Sequence, residues 1–265
     1  VPEIEMPGHA LAALASYPEL SFDSTQTYKV SPTWGVFEQV FCPSETTFKF
    51  FEGVMDEVVE LFPSEYIHIG GDECPKTAWK NSAFCQQLIR QLGLKDDVTP
   101  SKVDGVKHSK EDKLQSYFVT RMEKYLNDKG RNIIGWDEIL EGGLAPNATV
   151  MSWRGVEGGL NAAKAGHNAI MTPMPYAYLD FYQEDPAIAP TTIGGYTTLK
   201  KTYSYNPAPD DADELVKKHV IGMQGNIWRE YMKNSDRTDY QAFPRAMAIA
   251  ETGWTLDANI MAGRD

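Results

Sequence analysis

Short β-like runs alternate with helical patterns along this chain, and that alternation restricts its fold more than any other feature. Residues 66–70, 131–136, 149–153, 167–171 and 220–224 read as strands, and residues 1–6 read as the end of another. Between them, Ser44 is placed to cap a helix in which Phe51, Val54, Met55, Val58, Val59 and Phe62 form an apolar face. Residues 78–92 read as a shorter helix, and Leu114, Tyr117, Phe118, Met122 and Tyr125 mark a second long one. Residues 156–165 and 215–218 are helical in pattern, and 240–252 reads as a closing helix with Phe243, Met247 and Ala250 facing inward. Residues 95–110 are polar and read as a surface loop. Residues 173–211 form a long Pro-, Tyr- and Thr-rich stretch, and a loop of that length is usually functional.

Strands alternating with helices imply a parallel sheet covered by helices, either doubly wound or closed as a (β/α)8 barrel. No G-x-G-x-x-G or G-x-x-x-x-G-K-[ST] run follows a strand, which argues against a nucleotide fold. The chemically notable residues follow the C-terminal ends of different strands: His9, Asp72, Glu73, Trp136, Trp153, Tyr178, Asp180, Trp228 and Glu230. Convergence of that kind is the barrel arrangement. Six of the eight barrel strands are found, so the expectation is one α/β (β/α)8 TIM-barrel domain over 1–265, lacking its first two strands.

A net charge of −12, from 25 basic and 37 acidic groups, argues against a nucleic-acid groove or an anionic membrane surface as partner. No apolar run nears the ~20 residues needed to span a bilayer. The cysteines are Cys42, Cys74 and Cys85, without a C-x-x-C pair. A metal site built from His68, Asp72 and Cys74 has no second His/Cys cluster to support it, so no metal and no cofactor is expected. The thiols read as free and partly buried, with a Cys42–Cys85 or Cys74–Cys85 bridge left open.

The stretch His68-Ile69-Gly70-Gly71-Asp72-Glu73 sets two carboxylates side by side after a strand. In extended chain their side chains point to opposite sides and can reach two parts of one small substrate. Such a pair suits acid/base work on a sugar bond. The plainer alternative is an acidic helix N-terminus. Trp136, Trp153 and Trp228 each lie at a strand end beside carboxylates. Aromatic faces cover the apolar faces of sugar rings while carboxylates bind hydroxyls, so the combination points to carbohydrate.

The runs Val1 to His9, His68 to Glu73, Gly135-Trp136-Asp137-Glu138-Ile139, Ser152-Trp153-Arg154-Gly155, Tyr178-Leu179-Asp180 and Ile227-Trp228-Arg229-Glu230 occur in that order, followed by Phe243-Pro244-Arg245 and Ala250-Glu251-Thr252-Gly253-Trp254. Together they resemble the catalytic domain of glycoside hydrolase family 20, the β-N-acetylhexosaminidases. The resemblance implies an exo-acting hydrolase for terminal β-linked GlcNAc or GalNAc, retaining and substrate-assisted, in which the substrate's acetamido oxygen attacks the anomeric carbon.

By that resemblance Glu73 protonates the leaving oxygen and later deprotonates water, while Asp72 accepts the acetamido N–H and stabilises developing positive charge. Asp72 must stay ionised while Glu73 holds a proton, so their environments should differ. His9 is expected to contact Glu73, and Tyr178 to hydrogen-bond the acetamido carbonyl. Asp180 and Glu230 are expected to bind outer hydroxyls, and Trp136, Trp153 and Trp228 to wall the sugar. Asp137 and Glu138 are expected to be structural, and His68 to be hydrogen-bonded on its strand.

The family's sugar-gripping arginine and the aspartate behind its histidine have no counterpart here, and Glu5 stands where aspartate is also usual. The natural protein is therefore expected to be longer at its N-terminus. The expected partner is a carbohydrate with a terminal N-acetylhexosamine, with no nucleic acid or membrane and with homo-oligomerisation left open. The expected location is periplasmic or secreted. A non-catalytic glycan-binding derivative and a related specificity such as lacto-N-biosidase are the alternatives.

Overall fold

The computed structural model describes residues 1–209 and 211–255. Asp210 of the long loop and the end of the expected 1–265 domain lie outside them. The chain divides into two compact units, Val1–Val150 and Met151–Asp265. No described helix is long and apolar enough to cross a membrane.

The first unit holds α1 (Leu11–Ser16), α2 (Glu45–Leu61), β1 (Tyr66–His68), α3 (Thr77–Asn81), α4 (Ala83–Gln91), α5 (Lys110–Asp128) and β2 (Asn132–Trp136). Helix α2 starts as its sequence dictates, with the Ser44 side chain accepting from the Thr47 backbone N–H. It packs against α5 through Phe48, Phe51 and Phe118, whose rings meet at 4.8 and 6.1 Å. A reciprocal capping box between Ser109 and Asp112 opens α5. The single helix expected over 78–92 is two, because the Ser82 side chain turns to cap α4.

Strands β1 and β2 pair in parallel, Tyr66 with Asn132 and His68 with Ile134. The expected strand over 1–6 is reduced to an isolated parallel bridge between Glu3 and His68. The segment is nonetheless hydrogen-bonded along β1, with Ile4 N–H to His68 O at 2.9 Å and Met6 N–H to Ile69 O at 3.1 Å. Pro2 and Pro7 bracket it, and neither has an N–H with which to extend a ladder. The described residues thus hold five named strands plus this paired segment, against the six strands expected.

Strand β3 (Thr149–Ser152) lies at the sequence boundary of the units. The second unit continues with α6 (Glu157–Lys164), β4 (Ala169–Met171), α7 (Met174–Ala177), α8 (Leu199–Tyr203), α9 (Glu214–His219), β5 (Val220–Met223), α10 (Ser235–Ala242) and α11 (Arg245–Trp254). Strands β4 and β5 are again parallel, Ala169 with Val220 and Met171 with Met223. The long stretch after Pro173 is not structureless, since α7 and α8 lie within it.

The inward face expected for the closing helix is wrong. Phe243 and Met247 are 54% and 65% exposed, and Ala250 is exposed too, while Ala242, Arg245, Ala248 and Thr252 are buried. The cause is a break at Phe243–Pro244 that divides the segment into α10 and α11. The second helix restarts with Arg245 turned inward, which resets the buried stripe. All three cysteines are buried thiols without a disulfide, Cys42 and Cys85 sharing a hydrogen bond.

Candidate active site

The first unit gathers its acidic residues around the turn after β1. Gly70 and Gly71 have φ of +70° and +97°, and the turn needs both. A Cβ on Gly70 would fall on the Glu5 carboxyl, so alanine there is strained by its backbone angle and would also displace Glu5. No helix follows Glu73 until α3 at Thr77, which removes the reading of the pair as a helix cap.

His9 and Glu73 are the only non-glycine residues with positive φ among those described, both at 45°. Left-handed backbone at two non-glycine residues is costly and marks function more often than architecture. It also overturns the expectation of opposed side chains. His9 Nε2 lies 3.3 Å from Asp72 Oδ2 and 3.3 Å from Glu73 Oε2, so both carboxylates turn to one imidazole. The ligand-capable atoms of these three residues lie within 4.8 Å of one another, and no other such group occurs among the described residues. The trio of His68, Asp72 and Cys74, already disfavoured by the sequence, is not such a group among the described residues. The His9 imidazole stands between the two acids and is within 3.3 Å of each.

The two acids sit in different surroundings. Asp72 is held below the usual carboxylate range: burial works against its charge, but hydrogen bonds from His9 and Glu5 outweigh that cost. The Asp72 hydrogen bond in turn raises His9 above the usual imidazole range against burial, and Glu73 adds to it. Protonated His9 therefore stabilises the fold fully below the ordinary imidazole pKa and progressively less as pH rises through its raised value. Asp72 stays ionised across that window. The loss of melting temperature in His9→Asn should accordingly be larger near about pH 5.5 than near about pH 9. A loss that is constant or grows with pH would reject the charged pairing.

Behind the pair, His68 is on β1 as expected, with Nδ1 accepting from the Gly70 N–H at 3.0 Å. Burial pushes it down to about 4, so its 3.3 Å approach to Glu3 is not an ion pair at neutral pH. Trp136 is only 3% exposed and donates its indole N–H to Glu3 Oε1 at 2.9 Å. Glu138 is buried, and its Oε1 lies 3.5 Å from the Glu73 N–H, in keeping with a structural part. Gln115 on α5 donates to Gly71 O at 2.7 Å and accepts from Lys76 at 2.6 Å, pinning the turn from outside. Sequence reasoning missed Glu3, Glu5 and Gln115. Glu3 and Glu5 carried a signal, because residues two apart in extended chain share a face.

In the second unit, Tyr178 is buried and its ring stacks on Trp153 at 6.3 Å, with Phe181 at 5.5 Å and Trp228 at 6.5 Å as tilted ring contacts. Backbone bonds fix the Tyr178 segment: Leu179 N–H donates to Asn226 O at 2.7 Å and Asn226 N–H to Ala177 O at 2.8 Å. Asp180 is buried and pushed up to about 7, first by desolvation and further by the charge of Glu230. Among the described residues its Oδ1 has no hydrogen-bond partner. Glu230 is exposed.

The family model of glycosyl hydrolase family 20, catalytic domain, matches residues 1–257. The chain belongs to family 20. A β-hexosaminidase of Porphyromonas gingivalis is 50% identical to this family 20 chain over 257 residues, covering 96% of it and 31% of the relative. One of Vibrio furnissii is 34% identical, covering 99% and 41%. Among solved structures, a β-N-acetylhexosaminidase superposes with a TM-score of 0.81 at 29% identity, over 99% of this chain and 54% of the other. An exo-β-N-acetylglucosaminidase of Vibrio harveyi, in complex with N-acetylglucosamine, gives 0.79 at 32% identity over 97% and 39%. The chain spans about a third to a half of the length of these relatives. Family 20 catalytic domains are TIM barrels, and the parallel strand–helix units described above are of that fold class.

Proposed function

We propose that this family 20 chain carries the catalytic machinery of an exo-β-N-acetylhexosaminidase acting on terminal β-linked GlcNAc or GalNAc. The observation that carries this reading is the His9–Asp72–Glu73 cluster, in which one carboxylate is held charged and its neighbour shares the same imidazole. A charged Asp72 suits an amide N–H and the positive charge of an oxazolinium-like intermediate. Glu73, 37% exposed at its side chain, is free to meet a glycosidic oxygen and then a water. The substrate supplies the nucleophile, its acetamido oxygen, so the two acids need not face each other across a ring.

Family membership, rather than distance, assigns the second-unit roles. Tyr178 is proposed to donate to the acetamido carbonyl, Asp180 and Glu230 to bind hydroxyls, and Trp153 and Trp228 with Trp136 of the first unit to face the sugar. The unpartnered Asp180 Oδ1 is in keeping with a ligand hydroxyl as its missing donor. The full-length protein should hydrolyse an aryl N-acetyl-β-glucosaminide with retention at the anomeric carbon, read by proton NMR of the first-formed sugar. The matched aryl β-glucoside, which has no acetamido oxygen, should be turned over slower by on the order of 10³-fold or more. Comparable rates on the two substrates would overturn the substrate-assisted reading, and binding without turnover would favour a glycan-binding derivative.

A further inference from the structure

The two oxygens of Asp72 have different surroundings. Oδ2 faces His9 at 3.3 Å, whereas Oδ1 is buried and no described N–H or hydroxyl donates to it. The remaining side chain in hydrogen-bonding contact with Asp72 is itself a carboxyl, that of Glu5. Two ionised carboxylates in contact repel and offer each other only lone pairs, whereas a neutral acid donates an O–H. A single proton on the pair therefore turns a repulsion into a short, charge-assisted bond.

The surroundings decide which acid holds that proton. Asp72 has the imidazole of His9 beside it. Glu5 has no cation paired with it among the described residues, and it accepts one backbone N–H, from Gly71 at 2.9 Å. Its carboxyl is packed onto the Gly70 α-carbon, where only a glycine leaves room. The other titratable groups near the pair are Glu3, His68 and Cys74, with Glu73 on the far side of His9. Glu3 is acidic, His68 is neutral at physiological pH, and Cys74 is a thiol whose burial pushes it up to about 12. None of them offsets a negative charge on Glu5. Burial and the Asp72 charge push the Glu5 carboxyl well above the ordinary carboxylate range, in agreement with this placement.

We propose that Glu5 is a positioning residue: held as a neutral carboxylic acid, it donates its hydroxyl to Asp72 and fixes the rotamer that sets Asp72 Oδ2 against His9. This rests on the role proposed above for Asp72. The bond holds Asp72 as an oriented anion without adding a second negative charge beside it. The Gly70-Gly71 turn would then serve two purposes, giving the Glu5 carboxyl its space and fixing its acceptor oxygen through the Gly71 N–H.

The test compares Glu5→Gln with Glu5→Met in the full-length protein. Glutamine keeps a carbonyl for Gly71 N–H and an N–H for Asp72; methionine keeps the volume and neither bond. Glu5→Met should lower kcat on the order of 10²-fold with a smaller change in KM, because a mis-set group costs the reaction more than binding. Its acid limb should move to higher pH, since Asp72 loses a donor to its charged form. Glu5→Gln should recover most of that loss and restore the limb. The infrared difference between wild type and Glu5→Gln at neutral pH should contain the carbonyl stretch of a carboxylic acid, sensitive to deuterium exchange.

Equal damage in the two variants, or a difference spectrum showing a carboxylate instead, would overturn the proposal. Should Glu5→Met fail to fold, the glutamine variant and the infrared band still decide it. The infrared comparison needs no substrate, so an inactive wild type would count against the proposed function and leave the protonation of Glu5 to be read separately.

Discussion

Replacing Glu73 by glutamine is expected to lower kcat on unactivated glycosides by on the order of 10² to 10⁴-fold. The amide has nearly the shape of the carboxyl but can neither give up a proton to a departing sugar oxygen nor take one from water. Its O and N can still meet His9, so the fold and the position of Asp72 should survive, and melting temperature should change little. The chemistry predicts a second signature. Aryl glycosides with acidic phenols need little protonation to depart, so the first step on them should be nearly spared. The second step, deprotonation of water, loses its base whatever the leaving group. Pre-steady-state kinetics with such a substrate in excess over enzyme should show a burst of phenol followed by slow turnover. A variant with unaltered turnover on an unactivated disaccharide would remove Glu73 from the proton-transfer role. A large loss of stability would instead show that the side chain serves the turn.

How the two acids come together was only half legible in the sequence. The strand before them, the glycine turn and the carboxylate pair could all be read from residues 66 to 73. Their convergence on His9 could not, because it depends on left-handed backbone at Glu73 and His9, and such angles are not a property of those residue types. Tertiary contacts impose them. Helix α2 was readable because apolar periodicity and a serine cap agree, and α5 from its apolar periodicity. The segment after 240 was misread for a local reason. The break at Phe243–Pro244 rotates the buried stripe, so a single periodic pattern fitted across it chooses the wrong face. Glu5 was legible only as standing where aspartate is also usual, because sequence alone does not show that its carboxyl lies against the Gly70 turn.

The largest effect on stability is expected at Arg245. A sequence-based rule places arginine outside, yet this one is 0% exposed. Its two terminal nitrogens donate to four backbone carbonyls: Leu179 at 2.6 Å, Gln241 at 2.7 Å, Thr197 at 2.7 Å and Phe181 at 3.2 Å. Burial lowers its pKa to about 10, which leaves it cationic at neutral pH, and the nearby Asp180 supports the charge. One side chain therefore ties the start of α11 to the end of α10, to Thr197 two residues before α8, and to both neighbours of Asp180. Gln241 adds a fifth link by donating to Asp180 O at 2.9 Å.

Arg245→Leu would fill much of the volume but strand the Leu179, Thr197 and Gln241 carbonyls without these donors, while Phe181 O keeps the Gln241 amide at 3.3 Å. At about 1–3 kcal/mol for each buried group left unsatisfied, the loss should be at least about 3 kcal/mol. In a unit of this size that corresponds to a fall in melting temperature of roughly 10 °C or more, read by circular dichroism. Arg245→Lys keeps the charge but cannot present a planar fork to four acceptors, so it should restore only part of the loss. The same substitutions should disturb Asp180 and Tyr178 before the fold gives way, because their backbone is held by these bonds. A wild-type melting temperature in Arg245→Leu would mean that the carbonyls find other donors, and that the Tyr178–Asp180 segment owes its position to Asn226 and Gln241 alone.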